Sequence, residues 1–321
     1  MVLRVAAWAA ALSLWIAAAG AQDYPNRPIR AVIPYGVGGS ADVLSRVIAP
    51  GMAAQLGQSV VIDNRGGGAG LPAFTLVARA QPDGYTLLLS ASNLASNPIL
   101  FRKLPYDAER DFAPVSLIAI VPAVLVVHPT STIRSVKDLI AQARAQPGAL
   151  NYGSVGNGSG NHLVTEMFGS VAGVRFEHVP YKSAGAFMTD LASARLSFVF
   201  ATIPAAHAFV SSGRVRAIAV SSLTRSSTFP DLPTIAESGL RGFEVVTWLG
   251  ALMPAGAPPQ AVSRVQAAIR AAVGNAETRE RMKVRGAEPV ASTPAEMAQH
   301  LKGELTRWTT LAKTVKFEVA N

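Results

Sequence analysis

Short apolar segments alternate with amphipathic segments along most of the chain. From Tyr24 onward, the apolar runs IRAVIPY, SVVIDN and YTLLLS are separated by stretches in which apolar residues recur at helical spacing. A second block of this kind runs from AVLVVHP to VRAIAVSS. Strands that alternate with helices are typical of βαβ units and a mainly parallel sheet. The sequence therefore predicts an α/β fold built from two blocks.

After FEVVTWLGALMPAGAPP the pattern changes to helices only, so we expect the chain to end in a helical tail. Apolar spacing predicts helices over residues 41–56, 71–79, 136–145, 185–194, 259–273, 276–285 and 294–313. Pro50 and Gly51 lie inside the first of these helices. A proline in a helix interior removes a hydrogen bond, so this helix is expected to kink or split.

The two blocks share a glycine-rich loop between a strand and a helix: IPYGVGGS at residues 33–40 and YGSVGNGS at residues 152–159. In the second block, the apolar spacing predicts a helix that begins near residues 159–161. Free N–H groups and the positive end of the helix dipole make an anion site, and glycines let the backbone come close to the ligand. A phosphate and a carboxylate would satisfy this site equally well. Two domains that face each other would bring both helix starts onto one ligand.

The first residues read MVLRVAAWAAALSLWIAAAGAQDYP, with one charge, an apolar run at residues 5–19 and a small-residue pattern that ends at Ala21. This order is typical of a secretory signal peptide that is cleaved after Ala21. The alternative is a membrane anchor, but the run is shorter than the roughly 20 residues that a spanning helix needs. We therefore expect an exported chain that begins at Gln22.

Composition excludes several chemistries. The chain has no cysteine, so it has no disulfide, thiolate nucleophile or cysteine metal site. Its formal net charge is +9, but Lys and Arg are scattered rather than clustered, which disfavours a nucleic-acid surface. A diffuse positive field suits a receptor of small anions, although a solvated basic surface without a partner fits equally well.

A dinucleotide-binding enzyme is the main alternative to a receptor. Gly156 and Gly158 follow a strand and open a helix, and Glu177 lies about 20 residues further on, where a ribose-binding acid would sit. However, Asn161 occupies the third glycine position of that motif. An exported compartment is also a poor source of nicotinamide cofactor.

Other catalytic motifs are missing from the sequence. No lysine follows the second loop to complete a P-loop, and neither Ser154 nor Ser159 lies in a Gly-x-Ser-x-Gly nucleophile elbow. The five histidines include no pair at metal-ligand spacing. The sequence therefore predicts no enzyme, no metal, no cofactor and no affinity for NAD or ATP.

Nine ordered blocks carry a resemblance to a known family: YPNRPIRAVIPYGVGGSADVLSR, LGQSVVIDNRGGGAG, QPDGYTLLL, DFAPVSLI, NYGSVGNGSGNHL, HVPYKSAG, GRVRAIAVSS, LPTIAESG and WLGALMPAGAPP. The chain resembles the Bug family, the extracytoplasmic solute receptors of the tripartite tricarboxylate transporter type. The resemblance implies a two-domain, type II-like periplasmic binding protein with mainly parallel sheets and a hinged cleft. In this family the cleft takes up small carboxylates, commonly with ordered waters that bridge one carboxylate to the first-domain loop.

The resemblance also implies the domain plan. Residues 1–21 form the signal peptide, residues 22–122 and 247–321 form domain 1, and residues 123–246 form domain 2. The chain crosses between domains near residues 121–129 and 244–252, which returns the helical tail to domain 1. The expected ligand is a dicarboxylate, tricarboxylate or aromatic carboxylate. The expected partners are the membrane subunits of a tripartite tricarboxylate transporter, with signalling as the alternative role, and the receptor is expected to be a periplasmic monomer.

By the same resemblance, fourteen residues form the ligand site: Tyr35, Gly38, Gly39, Ser40, Asp42, Ser90 and Ser92 in domain 1, and Ser154, Gly156, Asn157, Gly158, Ser159, Tyr181 and Lys182 in domain 2. The hydroxyls are expected to donate to carboxylate oxygens, and the glycines to allow close backbone approach. Asp42 fits a role in capping or orienting its loop better than a ligand contact. Lys182 fits a surface charge equally well.

One carboxylate is expected at the start of the helix after Gly158, where Ser154 or Ser159 would donate to it. The alternative is that these serines only cap the helix. The chain departs from the family at Ser183, at Gly36 and Val37 together, and at Ala201, where many members carry aspartate. The missing carboxylate at Ala201 is expected to turn the cleft away from ligands with an ammonium group. The alternative is that aspartate there only orders a loop.

Overall fold

The computed structural model describes residues 24–37, 40–156 and 158–313. The predicted signal peptide and its cleavage site lie outside the described residues. Within those described ranges, no helix is both long and apolar enough to cross a membrane.

The first block comprises β1 (Ile29–Ile33), α1 (Ser40–Leu56), β2 (Val60–Asn64), α2 (Leu71–Ala78), β3 (Thr86–Ser90) and α3 (Asn93–Leu100). The second block comprises β4 (Phe112–Val127), α4 (Val136–Ala145), β5 (Asn151–Ser154), α5 (Gly160–Ala172), β6 (Glu177–Pro180), α6 (Ala184–Ala192), β7 (Val199–Thr202), α7 (Ile203–Ser211) and β8 (Arg216–Val220). The chain ends with β9 (Val246–Pro254), α8 (Pro259–Gly274), α9 (Ala276–Lys283), β10 (Glu288–Pro289) and α10 (Pro294–Leu311).

The main sheet has the strand order β10-β4-β9-β3-β1-β2. Strand β1 pairs in parallel with β2 and β3, as expected for βαβ units, and β5 pairs in parallel with β6. The long strands β4 and β9 are antiparallel to each other and to their remaining neighbours. The α/β class agrees with the sequence prediction.

Strand β4 changes its partners part-way along its length. Its residues up to Pro122 pair with β9, whereas Ala123 onward pairs with β7 and β8. The change falls at the predicted first crossing between domains. It supports the two-domain division, which itself stays a prediction.

Most predicted helices agree with the structure to within two residues at each end. The predicted split at Pro50 does not occur, because α1 continues through this proline to Leu56. At Gly51 an added Cβ would lie 2.8 Å from the Cβ of Ala272 in α8. Helices α1 and α8 therefore pack in close contact over one face of the sheet, with Ile48 and Ile269 in the same apolar core.

Candidate functional site

The first-domain loop, residues 34–39, connects β1 to α1. Gly38 and Gly39 lie outside the described residues, and Ser40 opens α1. Tyr35 is half-buried, and its hydroxyl oxygen is buried without a hydrogen bond of normal geometry to any described residue. Burial raises the pKa of Tyr35 well above its ordinary value, and the nearby backbone of Asn93 and Ala91 offsets part of that rise. The hydroxyl of Tyr35 therefore lies beside the start of α3.

A second buried hydroxyl lies at the same place. Ser92 precedes α3 as its N-cap residue, but its side chain makes no capping bond. The residue is 4% exposed, and its Oγ has no hydrogen-bond partner in the described ranges. Ser90, by contrast, donates to the carbonyl oxygen of Ala91 at 3.1 Å. Because buried polar groups are almost always paired, the hydroxyls of Tyr35 and Ser92 mark a place where a polar partner is needed.

Asp42 orients the loop through protein contacts. It is 2% exposed, and its Oδ1 accepts from Arg46 Nε at 2.9 Å and from Asn64 Nδ2 at 3.0 Å. The same Asn64 nitrogen lies 3.1 Å from the carbonyl oxygen of Tyr35, to which it donates. This is the orienting role that the sequence favoured for Asp42. Asn64 was not predicted, although its position directly at the end of β2 is a signal that could have identified it.

The second-domain loop, residues 155–159, connects β5 to α5, and Asn157 lies outside the described residues. Ser154 is fully buried; its Oγ accepts from Gly156 N at 3.0 Å and lies 2.6 Å from His178 Nε2. Ser159 caps α5: its Oγ donates to the Gly156 carbonyl at 2.7 Å and accepts weakly from His162 N at 3.5 Å. Both serine hydroxyls therefore bond within the protein, but only Ser159 caps the helix.

The glycines of this loop have different surroundings. Gly156 and Gly158 both have positive φ, 106° and 74°, which favours glycine. An added Cβ at Gly158 would lie 2.3 Å from Leu100 Cδ1, whereas one at Gly156 would meet no atom within 4 Å. Gly158 thus serves close packing against the end of α3, and the backbone at Gly156 faces open space.

Two N–H groups at the start of α5 remain available. The N–H of Gly158 donates to His162 Nδ1, and that of His162 donates to Ser159. The N–H groups of Gly160 and Asn161, in the first turn, make no hydrogen bond within the described residues. They carry the positive end of the helix dipole. An added Cβ at Gly160 would lie 3.0 Å from Thr247 Oγ1, so this turn lies against β9.

Tyr181 and Lys182 follow β6 and differ in their contacts. The Tyr181 hydroxyl donates to Asp190 Oδ2 at 2.9 Å, and burial, together with this acid, raises the pKa of Tyr181 to about 12. The backbone of Tyr181 supports the loop, since its N–H donates to the Ser154 carbonyl at 2.8 Å. Lys182 is exposed, and Ser183 caps α6 by accepting from Ala186 N.

Ala201 has no direct route to a ligand. It is fully buried in β7, opposite Val124 of β4, and packs in an apolar cluster with Val199 and Met188. A side chain that faces this core cannot tune the charge of the cleft by contact. The burial of Ala201 gives no support for a direct contact with the ligand, and the expectation that this position turns the cleft away from ammonium ligands stays a prediction.

Helix α3 joins the two loops into one region. Tyr35 lies beside its start, and Gly158 packs against Leu100 at its end. An eight-residue helix is about 12 Å long, so the points at which the two loops meet α3 are separated by roughly that length. Two surface cavities, of about 540 and 500 Å³, lie elsewhere, the first beside Tyr106 and α10 and the second beside α7 and Phe229. Neither is lined by a predicted site residue.

The sequence profile of the tripartite tricarboxylate transporter family receptor, TctC, matches residues 44–317. The chain belongs to this family. The receptor is 36% identical over 307 residues to the protein BugT of Bordetella pertussis, a match that covers 93% of this chain and 94% of BugT. It is 37% identical over 286 residues to the UPF0065 protein in the tcbD-tcbE intergenic region of Pseudomonas sp. strain P51, covering 89% of this chain and 85% of that protein.

Solved structures resemble the receptor over nearly its whole length. Rpa4515 of R. palustris with adipate has a TM-score of 0.81 and 37% identity, covering 91% of this chain and 98% of its own. MatC (Rpa3494) from Rhodopseudomonas palustris with bound malate has a TM-score of 0.78 and 29% identity, covering 90% and 100%. The periplasmic binding protein BugD has a TM-score of 0.77 and 32% identity, covering 91% and 99%.

These similarities confirm the predicted Bug-type family and the periplasmic-binding-protein fold class. The family consists of periplasmic solute-binding receptors rather than enzymes, so the expectation that the receptor is not an enzyme is confirmed, and the dinucleotide-binding alternative falls.

Proposed function

We propose that the chain is a periplasmic receptor that holds a small carboxylate, namely a dicarboxylate, tricarboxylate or aromatic carboxylate, between residues 34–42 and 154–161. One carboxylate meets the free N–H groups of Gly160 and Asn161 at the start of α5. Within the described residues these two N–H groups make no hydrogen bond, whereas those of Gly158 and His162 are bonded internally, and this is the observation that carries the proposal. Relatives with bound adipate and malate support the ligand class.

The first-domain side contributes hydroxyl groups. Tyr35 and Ser92 are buried at the start of α3 without partners in the described part of the chain, so they suit a second polar group of the ligand or a water that bridges to it. The backbone beside Gly156 faces open space and lets the ligand approach. The predicted residues Gly38, Gly39, Ser40, Ser90, Asn157 and Lys182 stay in the proposal as predicted, and so does donation from Ser154. Ser159 is assigned instead to the cap of α5, which was the alternative role for this serine.

The proposal also covers export of the chain and its partners. The receptor is exported by a signal peptide that is cleaved after Ala21, folds into the two domains given above, and delivers its ligand to tripartite tricarboxylate transporter membrane subunits or to a signalling partner. The intact mass of periplasmic protein tests the cleavage site: a chain that begins at Gln22 agrees, and retention of Trp8 and Trp15 disagrees.

A thermal-shift screen of the mature protein against carboxylic acids tests the ligand class. A ligand that binds only the native state raises the melting midpoint, by an amount equivalent to about 2.7 kcal/mol at a concentration of 100 Kd. We expect at least one small carboxylate to raise the midpoint and NAD and ATP to leave it unchanged. The proposal would be contradicted if a nucleotide raised the melting midpoint, or if none of the carboxylic acids did.

A further inference from the structure

Two histidines lie behind the second-domain loop and are in contact with each other. His162, in α5, is 8% exposed, and His178, in β6, is half-buried; their ring centroids are 4.5 Å apart. Each bonds to one end of the loop. Gly158 N donates to His162 Nδ1 at 3.1 Å, and His178 Nε2 lies 2.6 Å from Ser154 Oγ.

A fully buried tyrosine supports both rings. Tyr152 of β5 stacks on His178 at 5.0 Å and on His162 at 6.4 Å. Its hydroxyl donates to Glu166 Oε1 of α5 at 2.6 Å, so the tyrosine cannot shift without losing this bond. The three rings form a layer beneath the loop, which we call the imidazole layer: Tyr152, His162 and His178.

The hydrogen bond to Gly158 requires a neutral His162, because Nδ1 accepts only when it carries no proton. Burial lowers the pKa of His162 to about 4, and the neighbouring His178 adds to this shift. The other titratable groups around the layer are Glu166 on α5 and Glu177 beside His178 on β6. Burial raises the pKa of Glu166, while its bond from Tyr152 opposes the rise.

We propose that His162 and His178 are positioning residues: they hold the loop at Gly158 and Ser154 so that the N–H groups of Gly160 and Asn161 face the ligand. The inference rests on the proposed function. Gly156 and Gly158 have positive φ, a conformation that glycine enters and leaves easily, so the turn between the two bonds needs fixing from outside. A loop fixed before binding spends less binding energy on ordering itself.

Matched substitutions separate this role from plain packing. His162→Leu removes the ring and the acceptor, whereas His162→Asn removes the ring but keeps an acceptor oxygen at the position of Nδ1. We expect His162→Leu to weaken binding of adipate or malate by about tenfold and His162→Asn to stay within about threefold of the unmutated protein. At the second histidine, His178→Leu should likewise weaken binding of adipate or malate more than His178→Gln does, because glutamine keeps a polar group near Ser154. His300→Leu is the control, since this half-buried histidine packs on Trp248, away from both loops.

The pH profile adds a readout that a packing role would not move. As the pH falls from 7 to about 4, roughly half of the His162 rings bind a proton, and in those molecules Nδ1 can no longer accept from Gly158. Protonation of the ligand weakens binding to every variant, but only the protein that has His162 also loses this bond. The affinity of the unmutated protein relative to His162→Asn should therefore fall with acidification. A constant ratio, or equal losses in His162→Leu and His162→Asn, would overturn the inference.

Amide hydrogen exchange in the unliganded protein keeps the test independent of the ligand. Protection of Gly158 N–H should be lost in His162→Leu and retained in His162→Asn. If this pattern holds while no carboxylate binds the unmutated protein, the proposed function fails and the fixing of the loop stands. If carboxylates bind but Gly158 keeps its protection in His162→Leu, the proposed function stands and the positioning role fails.

Discussion

In the second-domain loop the serine hydroxyls bond within the protein, whereas beside the first-domain loop the hydroxyls of Tyr35 and Ser92 make no hydrogen bond of normal geometry in the described ranges. Ser154 and Ser159 bond to Gly156 and to the imidazole layer. The hydroxyls of Tyr35 and Ser92 are equally buried but make no such bond. In the proposed site, two loops with the same order of strand, turn and helix would therefore offer a ligand different groups: backbone N–H from one loop and side-chain hydroxyls from the other. Substitutions in the two loops should accordingly affect different quantities.

The largest effect is expected where the second loop meets α3. Gly158→Ala puts a Cβ 2.3 Å from Leu100 Cδ1 at a φ of 74°, and we expect it to lower the free energy of unfolding by about 2–4 kcal/mol. Gly156→Ala is the matched control, because its φ is also positive but its Cβ would meet no neighbour. Denaturant unfolding measures both. Equal losses in the two variants would mean that the contact with Leu100 does not constrain the loop.

A smaller effect, on affinity alone, is expected on the first-domain side. Tyr35→Phe and Ser92→Ala should each weaken ligand binding by about tenfold, or about 1.4 kcal/mol. Neither should lower the free energy of unfolding much, because neither hydroxyl makes a hydrogen bond of normal geometry within the described chain. Tyr181→Phe is the contrasting variant, since its hydroxyl bonds to Asp190, and it should change stability rather than affinity. Calorimetric titration combined with thermal melts distinguishes the two patterns, and an unchanged affinity in Tyr35→Phe and Ser92→Ala would remove the first-domain side from the site.

The smallest effect is expected at the cap of α5. Ser159→Ala should lower the free energy of unfolding by about 1 kcal/mol and leave affinity nearly unchanged, because Ser159 bonds to Gly156 and caps the helix. Ser135→Ala removes the equivalent cap from α4, away from both loops, and should cost a similar amount. A loss of affinity of tenfold or more in Ser159→Ala would restore the original expectation that this serine donates to the ligand.

Local patterns predicted most of the fold. Helix α4 matches its predicted bounds because its apolar spacing is regular and Ser135 caps it. Helix α3 was missed, because Pro98 and two asparagines hide its apolar spacing, yet this helix joins the two loops. Gly-rich turns between strand and helix predicted where the proposed site lies.

The partners of the site residues could not be read from the sequence. Ser154 bonds to His178, which is 24 residues away along the chain, and only the parallel pairing of β5 with β6 brings them together. Likewise, the face of the sheet on which the Ala201 side chain lies depends on the register of β7 against β4. Contacts of this kind follow from tertiary packing. The sequence therefore predicted the two loops, but it could not predict which of their N–H and O–H groups are already bonded within the protein.

The most direct test of carboxylate capture is a calorimetric titration at pH 7 with the acid that most stabilises the protein and with its primary amide. The amide keeps the shape of the acid but removes the charge that the N–H groups of Gly160 and Asn161 and the dipole of α5 favour. We predict that the amide binds at least about tenfold more weakly than the acid. Equal affinities for the acid and the amide would contradict the account.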